Sequence, residues 1–282
     1  VGAGPAGLEA ARALSLRGYD VALAEAGTEL GGRVARERRL PGLSAWGRVA
    51  DYRAYQIGQH PNVETYFESR LTTADIMEFG FQNVAIATGA KWRRDGVARQ
   101  HVVAMEIDSN MAVYTPDDLM AGKVPQGHIA VYDDDHYYMG GVLAEMLARQ
   151  GASVTLITPS AYVSDWTNNT LEQAAIHRRL VSVGVEIQLN RGVTQIGADH
   201  VITNCTYTGA TRPEPCDAVV MVASRVGNDQ LYLDLMAQQD DWADAGIRTV
   251  KVIGDANAPG PIAWATYAGH RYARELDMPD IG

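Results

Sequence analysis

Apolar and polar positions along the chain follow two periods, and they alternate in a fixed order. After Val1 comes a glycine-rich turn, Gly2-Ala3-Gly4-Pro5-Ala6-Gly7, then a helical stretch through Arg17 in which Ala10, Ala11 and Ala13 are available for close packing. Gly18 stops that helix, and an apolar strand runs from Tyr19 to Ala24. The same order returns from Gly127: strand His128 to Tyr132, a turn, helix Gly140 to Gln150, a stop at Gly151, strand Ser153 to Thr158. Further apolar strands are read at Asn83 to Ala87, Ala218 to Ala223 and Val250 to Ile253, and helices at Leu171 to Leu180 and about Pro261 to Leu276. Strands alternating with helices predict an α/β fold with two Rossmann-like, FAD/NAD(P)-binding-type domains built on parallel sheets, helices lying on both faces. The second domain is inserted in the first: residues 1–90 and 217–282 form the nucleotide-binding domain, and 91–216 the insertion.

The first turn carries chemistry. Gly2 permits the tight turn, Gly4 lets the backbone approach a pyrophosphate, and Gly7 lets the helix pack on the strand, while the free N–H groups of the helix start face the phosphates. Ala3, Pro5 and Ala6 complete that loop. Glu25 closes the next strand 21 residues after Gly4, where a Rossmann unit places an acid on the ribose hydroxyls. A glutamate there repels a 2′-phosphate and so disfavours NADP. Gly31-Gly32-Arg33 follows, and Arg33 is a candidate to neutralise a phosphate. Thr88-Gly89 and Gly254-Asp255 each end an apolar strand, and the helix after Gly254-Asp255 points its N-terminus at the same place. Roles for Arg33 and Thr88 stay open to surface or packing alternatives.

The second turn departs from that pattern. It reads Asp133-Asp134-Asp135-His136-Tyr137-Tyr138-Met139-Gly140-Gly141, with aspartates where the first two glycines belong. At about 4 Å each carboxylate would oppose a phosphate by roughly 1 kcal/mol in water and about 4 at a surface-like dielectric. Tyr137 and Tyr138 fill the space a pyrophosphate needs, and the following strand ends in Thr158-Pro159 with neither an acid for NAD nor an arginine for NADP. The inserted domain is expected to keep the fold without nicotinamide binding. Asp134 or Asp135 is expected to cap the next helix, with the tyrosines packed against the neighbouring domain. Metal ligation by Asp133, Asp135 and His136 is the alternative reading of the turn.

Composition narrows the function classes. Twenty-four basic against 34 acidic residues give −10, with 46% apolar residues and 28 glycines in 282, which excludes disorder and argues against nucleic acid or an anionic membrane as partner. No apolar run approaches the roughly 18 residues of a membrane span. Cys205 and Cys216 stand in no metal-ligand spacing, so the expected setting is reducing and cytoplasmic. A phosphate-binding turn normally follows a strand of about five residues, of which Val1 supplies only the last. The expectation is a piece of a longer protein, marginal in stability without that strand.

Taken together, the residues from Gly2 to Gly7, Glu25 to Arg33, Leu40-Pro41-Gly42-Leu43 with Trp46, Ala87-Thr88-Gly89-Ala90 with Trp92, Asp133 to Gly141, Trp166 to Thr170 and Gly254-Asp255-Ala256 carry a resemblance. The chain resembles the C-terminal part of the iron–sulfur flavoprotein amine dehydrogenases, the trimethylamine and histamine dehydrogenase family of the Old Yellow Enzyme type. The resemblance covers nearly the whole chain, and the aspartate-rich turn with its paired tyrosines is its specific element. It implies an N-terminal (β/α)8 barrel with covalent FMN and an iron–sulfur cluster, both outside these residues, and no catalytic residue within them. It further implies ADP in place of FAD on the reductase-like domains, electron delivery to an electron-transferring flavoprotein or similar protein, and a homodimer as the full-length enzyme. Carried over by position, ADP or FAD would contact Gly2, Ala3, Gly4, Pro5, Ala6, Gly7, Glu25, Gly32, Arg33, Thr88, Gly89, Gly254 and Asp255. The rival readings are an FAD-dependent, NAD(P)H-using reductase of the dienoyl-CoA reductase type, a structural ADP-binding module without redox role, and a flavin amine oxidase.

Overall fold

A computed structural model describes residues 1–278, so the last four residues of the expected nucleotide-binding segment lie outside the described part. The chain divides into two units: Val1–Arg39, Leu43–Lys91 and Val226 onward form the first, Leu40–Gly42 and Trp92–Arg225 the second.

In the first unit, Val21–Ala24 pairs in parallel with Val63–Tyr66, and Asn83–Ile86 with Thr249–Val252. Between the two pairs lies Val1–Gly2: the Val1 amine donates to Ala85 O (2.6 Å), Ala87 N–H to Val1 O (2.8 Å), and Gly2 N–H to Ala24 O (2.7 Å). Side chains alternate across the sheet as strand geometry requires. Val84 and Ile86 pack with Ile76, Leu235 and Trp242, whereas Ala87 joins Ala6, Ala10, Ala265 and Tyr272. Helices therefore cover both faces. The helices Pro5–Leu16 and Ile262–Glu275 meet where a Cβ on Gly269 would fall 2.1 Å from Ala6 O, so only glycine allows their approach. Buried Glu9 ties three helices together, accepting from Arg12, from Arg53 on the helix Arg48–Gly58, and contacting His270 at 3.0 Å. Those partners hold its carboxyl below the usual range despite the opposing cost of burial.

The second unit holds a five-stranded parallel sheet in the order Ala112–Tyr114, Ala218–Val222, His128–Asp133, Ser153–Ile157, Glu186–Gln188. Here the sequence expectation is corrected: Ala218–Val222 does not begin the return to the first unit. It pairs with His128–Asp133 (Ala218 opposite Ile129) and with Ala112–Tyr114, and the return falls at Val226. The helices Met139–Arg149 and Gln173–Ser182 contact each other, and the first of them packs on the sheet. The other face differs from the expected helical cover. Ala130, Tyr132, Ile157, Val219 and Met221 pack against Val193, Ile196 and Val201 of a second sheet. That sheet runs Thr211–Pro215, His200–Cys205, Arg191–Ile196, Glu106–Ile107, its first three strands antiparallel. Pro213 and Pro215 sit on its edge strand, where a missing N–H costs no ladder bond and discourages pairing with another chain.

Candidate functional site

The glycine turn of the first unit folds as its residue types require. Gly4 is the N-cap of the helix Pro5–Leu16, with Pro5 at N1 and no side-chain cap, so the first-turn N–H groups are left for a ligand. Gly7 is pressed against the turn: a Cβ there would lie 1.9 Å from Gly2 O. Gly32, at φ +53°, faces Gly4 so closely that its Cβ would stand 2.9 Å from the Gly4 Cα. Two bare backbones thus face each other beside a helix N-terminus. Ala3 O accepts from Gly31 N–H at 2.8 Å, which locks the two glycine loops together.

Glu25 is oriented by the same loops. Its Oε2 accepts from Ala3 N–H (2.9 Å) and its Oε1 from Gly27 N–H (2.8 Å), leaving further lone pairs of a half-buried carboxylate for hydroxyl donors. Arg33 extends to Asp255, Nη1 to Oδ2 at 3.0 Å, while its Nη2 donates to Gly260 O at 3.0 Å. Asp255 also accepts from Gly260 N–H (3.1 Å); burial raises its carboxyl above the ordinary range, and Arg33 and this hydrogen bond oppose the rise. Gly254 lies over the first turns of both helices, its Cβ position 2.5 Å from the Ala6 Cβ and 3.8 Å from the Ala265 Cβ.

Gly2, Ala3, Gly4, Pro5, Ala6, Gly7, Glu25, Gly32, Arg33, Gly254 and Asp255 are brought together by these contacts. Thr88 and Gly89 are held differently: the Thr88 hydroxyl donates to Asn228 O (2.5 Å), and Asn228 returns its Nδ2 to Thr88 O and its N–H to Gly89 O. Asn228 escapes sequence reading because it lies 140 residues from Thr88 in the chain and belongs to no motif. Its one local signal is the preceding Gly227, where a Cβ would fall 2.2 Å from Ala256 O.

In the second unit the corresponding turn is filled from within. Asp133 is fully buried, its Oδ1 accepts from His136 N–H (3.0 Å), and its carboxyl rests against Gly140, where a Cβ would come within 2.4 Å. Burial, aided by repulsion from Asp135 and Asp134, pushes this carboxyl up to about 7 against the pull of His136. Asp134, also fully buried, accepts from Gln100 N–H (2.9 Å), and its other oxygen is 3.3 Å from His136 Nε2. The expected helix cap is corrected: the N-cap is Tyr138, with no side-chain cap bond, because Asp134 is turned to Gln100 and its N–H and that of Asp135 to Val222 O. Tyr137 and Tyr138 meet edge to face with centroids 4.7 Å apart. Among the described residues no three His, Cys, Asp or Glu side chains converge as metal ligands. No described helix is long and apolar enough to cross a membrane.

Residues 1–69 match the NAD(P)-binding Rossmann-like domain family, and residues 114–209 the OYE-like second alpha/beta domain. Histamine dehydrogenase from Rhizobium sp. 4-9 superposes with a TM-score of 0.99 at 71% identity, covering all of this chain and 44% of that one. The 6-hydroxypseudooxynicotine amine oxidase of Pseudomonas geniculata N1 superposes with a TM-score of 0.92 at 43% identity, over 96% of this chain and 40% of that one. Dimethylamine dehydrogenase of Hyphomicrobium sp. (strain x) is 36% identical over 99% of this chain and 41% of its own length. The chain thus spans about two fifths of the length of these three relatives, and over that span it belongs to the amine dehydrogenase family that includes the dimethylamine and histamine dehydrogenases.

Proposed function

We propose that this chain is the nucleotide-binding, electron-transfer-associated part of an amine-oxidising iron–sulfur flavoprotein dehydrogenase, and that its first unit holds ADP or FAD. The observation that carries the reading is the Gly4–Gly32 backbone cradle at a helix N-terminus with the Glu25 carboxylate pinned beside it. Such a site suits a pyrophosphate and a ribose diol, and the residues present fit an adenine dinucleotide or its ADP half. Main-chain N–H groups at Pro5–Leu16 would take the phosphate charge, and Glu25 the ribose hydroxyls. Asp255 would face the far end of the ligand, with Arg33 balancing its charge. Bound FAD would supply a flavin for electron transfer, whereas bound ADP would supply only structure.

FMN and the iron–sulfur cluster belong, on this reading, to polypeptide beyond these 282 residues, since two separated cysteines do not make a cluster site. The amine-oxidising step and delivery of electrons to an electron-transferring flavoprotein or similar acceptor are assigned to the whole enzyme. The second unit serves as scaffold. Its Asp133 carboxyl occupies the helix start that a nicotinamide dinucleotide would need, so the obstacle is steric as well as electrostatic. Titration calorimetry with ADP, NADH and NADPH tests both halves of the proposal. Saturable binding of ADP with none of NADH or NADPH at the second unit supports it. Rapid reduction of the protein by either nicotinamide would favour the reductase reading.

A further inference from the structure

The strands Asn83–Ile86 and Thr249–Val252 pair as far as Ile86 and Val252, and each chain then runs on into a turn of the nucleotide site, Thr88–Gly89 and Gly254–Ala256. Past the rung from Ile253 N–H to Ile86 O (2.9 Å), Asn228 takes over the first of these turns. Its Nδ2 donates to Thr88 O (3.1 Å) and its N–H to Gly89 O (2.8 Å), while the Thr88 hydroxyl donates to Asn228 O (2.5 Å). The residue before it is anchored on the second turn: a Cβ on Gly227 would stand 2.2 Å from Ala256 O and 3.2 Å from Asp255 O.

The Thr88 turn in its own right bears on the phosphate loop. A Cβ on Gly2 would lie 2.4 Å from Ala87 O and 3.2 Å from Thr88 N. Backbone packed this closely has no slack, so a displacement of the Thr88 peptide is passed to Gly2 and from there to the helix start at Gly4.

We infer, on the reading that the first unit holds ADP or FAD, that Asn228 is a positioning residue of the nucleotide site, a polar strut that fixes the Thr88–Gly89 turn against the phosphate loop. It acts through main-chain groups and needs no contact with the ligand. The residue type follows from the bonds it makes. An asparagine amide supplies a donor at the reach of Thr88 O; aspartate would set an acceptor against that carbonyl, glutamine is one methylene longer, and alanine has no donor.

The test times the loss of ADP from the full-length native protein, saturated with ADP and freed of excess by gel filtration, in the parent, Asn228→Ala and Asn62→Ala. Asn62 is the control, a half-buried asparagine whose Nδ2 donates to Ser15 O (3.0 Å) and Tyr19 O (2.7 Å) at the opposite end of the helix Pro5–Leu16. Its truncation removes at least as much hydrogen bonding without touching the Thr88 turn. Under conditions where circular dichroism shows every form folded, Asn228→Ala should release ADP about fivefold to tenfold faster than the parent, the worth of roughly one hydrogen bond. Asn62→Ala should match the parent, which a role in general stability alone does not predict for one variant and not the other. Release from Asn228→Ala no faster than from Asn62→Ala overturns the inference and leaves the functional reading standing; a parent that holds no adenine nucleotide overturns both. If Asn228→Ala does not fold, Asn228→Ser, whose hydroxyl is too short to reach Thr88 O, takes its place. Failure of both to fold while Asn62→Ala folds assigns Asn228 to the stability of the unit and contradicts the inference.

Discussion

Replacing Asp133 by asparagine should remove most of the pH dependence that this one carboxyl imposes on the second unit. The side chain is fully buried and lies between His136 N–H and the start of the helix Met139–Arg149. Its ordinary value of 3.8 is pushed to about 7, first by burial and then by Asp135. Because the folded value is the higher one, the native state binds the proton more tightly. The stabilisation from this group is complete below about pH 4 and is lost as pH rises through about 7. At about 1.4 kcal/mol per pH unit, the interval corresponds to roughly 4 kcal/mol. Asparagine keeps the shape and an acceptor for His136 N–H but cannot ionise. In urea titrations between pH 4 and 9, Asp133→Asn should therefore match the parent at the acid end, gain on it through pH 5 to 7, and hold a plateau of about 4 kcal/mol above. The difference between the two proteins cancels the titrating groups that do not interact with Asp133. Parallel curves across the range would refute the assignment of a buried, proton-holding Asp133.

Three further outcomes are expected. Glu25→Ala should weaken ADP binding by roughly ten- to a hundredfold, the worth of hydrogen bonds to a charged acceptor, measured by calorimetry with circular dichroism unchanged. Gly7→Ala forces a Cβ to within 1.9 Å of Gly2 O and should cost about 1–3 kcal/mol, seen as a lower unfolding midpoint with weakened nucleotide binding. The Cys205 thiol, lowered to about 7 by hydrogen bonds from the Thr208 side chain and the Thr208 and Tyr207 backbone, should alkylate well before Cys216, which burial raises to about 11. Peptide mass mapping after iodoacetamide at pH 7.5 reads the order, and faster labelling of Cys216 would contradict it.

Much of the site was legible because glycine and one acid leave few alternatives. Gly2, Gly4, Gly7 and Glu25 at their spacing imply a phosphate turn on physical grounds, and the structure brings Gly32 and Asp255 to the same neighbourhood. What could not be read depends on partners distant in the chain. The strand Ala218–Val222 is apolar throughout, so its composition suits the interior of either parallel sheet; only its pairing with Ile129 and Ala112 decides between them. Thr211–Pro215 carries two prolines, which weaken any strand signal there, yet an edge position needs no N–H from them. Asp134 has the residue type of a helix cap, but Gln100 N–H, 34 residues away, takes its carboxylate.

Acid release of the nucleotide that co-purifies with the protein, followed by chromatography and mass spectrometry, puts the proposed role of the two units at stake together. The prediction is an adenine nucleotide in stoichiometric amount, ADP or FAD, recovered in smaller amount from Glu25→Ala, and no NAD(P). Protein that is folded and carries no adenine nucleotide, or one that releases a nicotinamide dinucleotide, would contradict it.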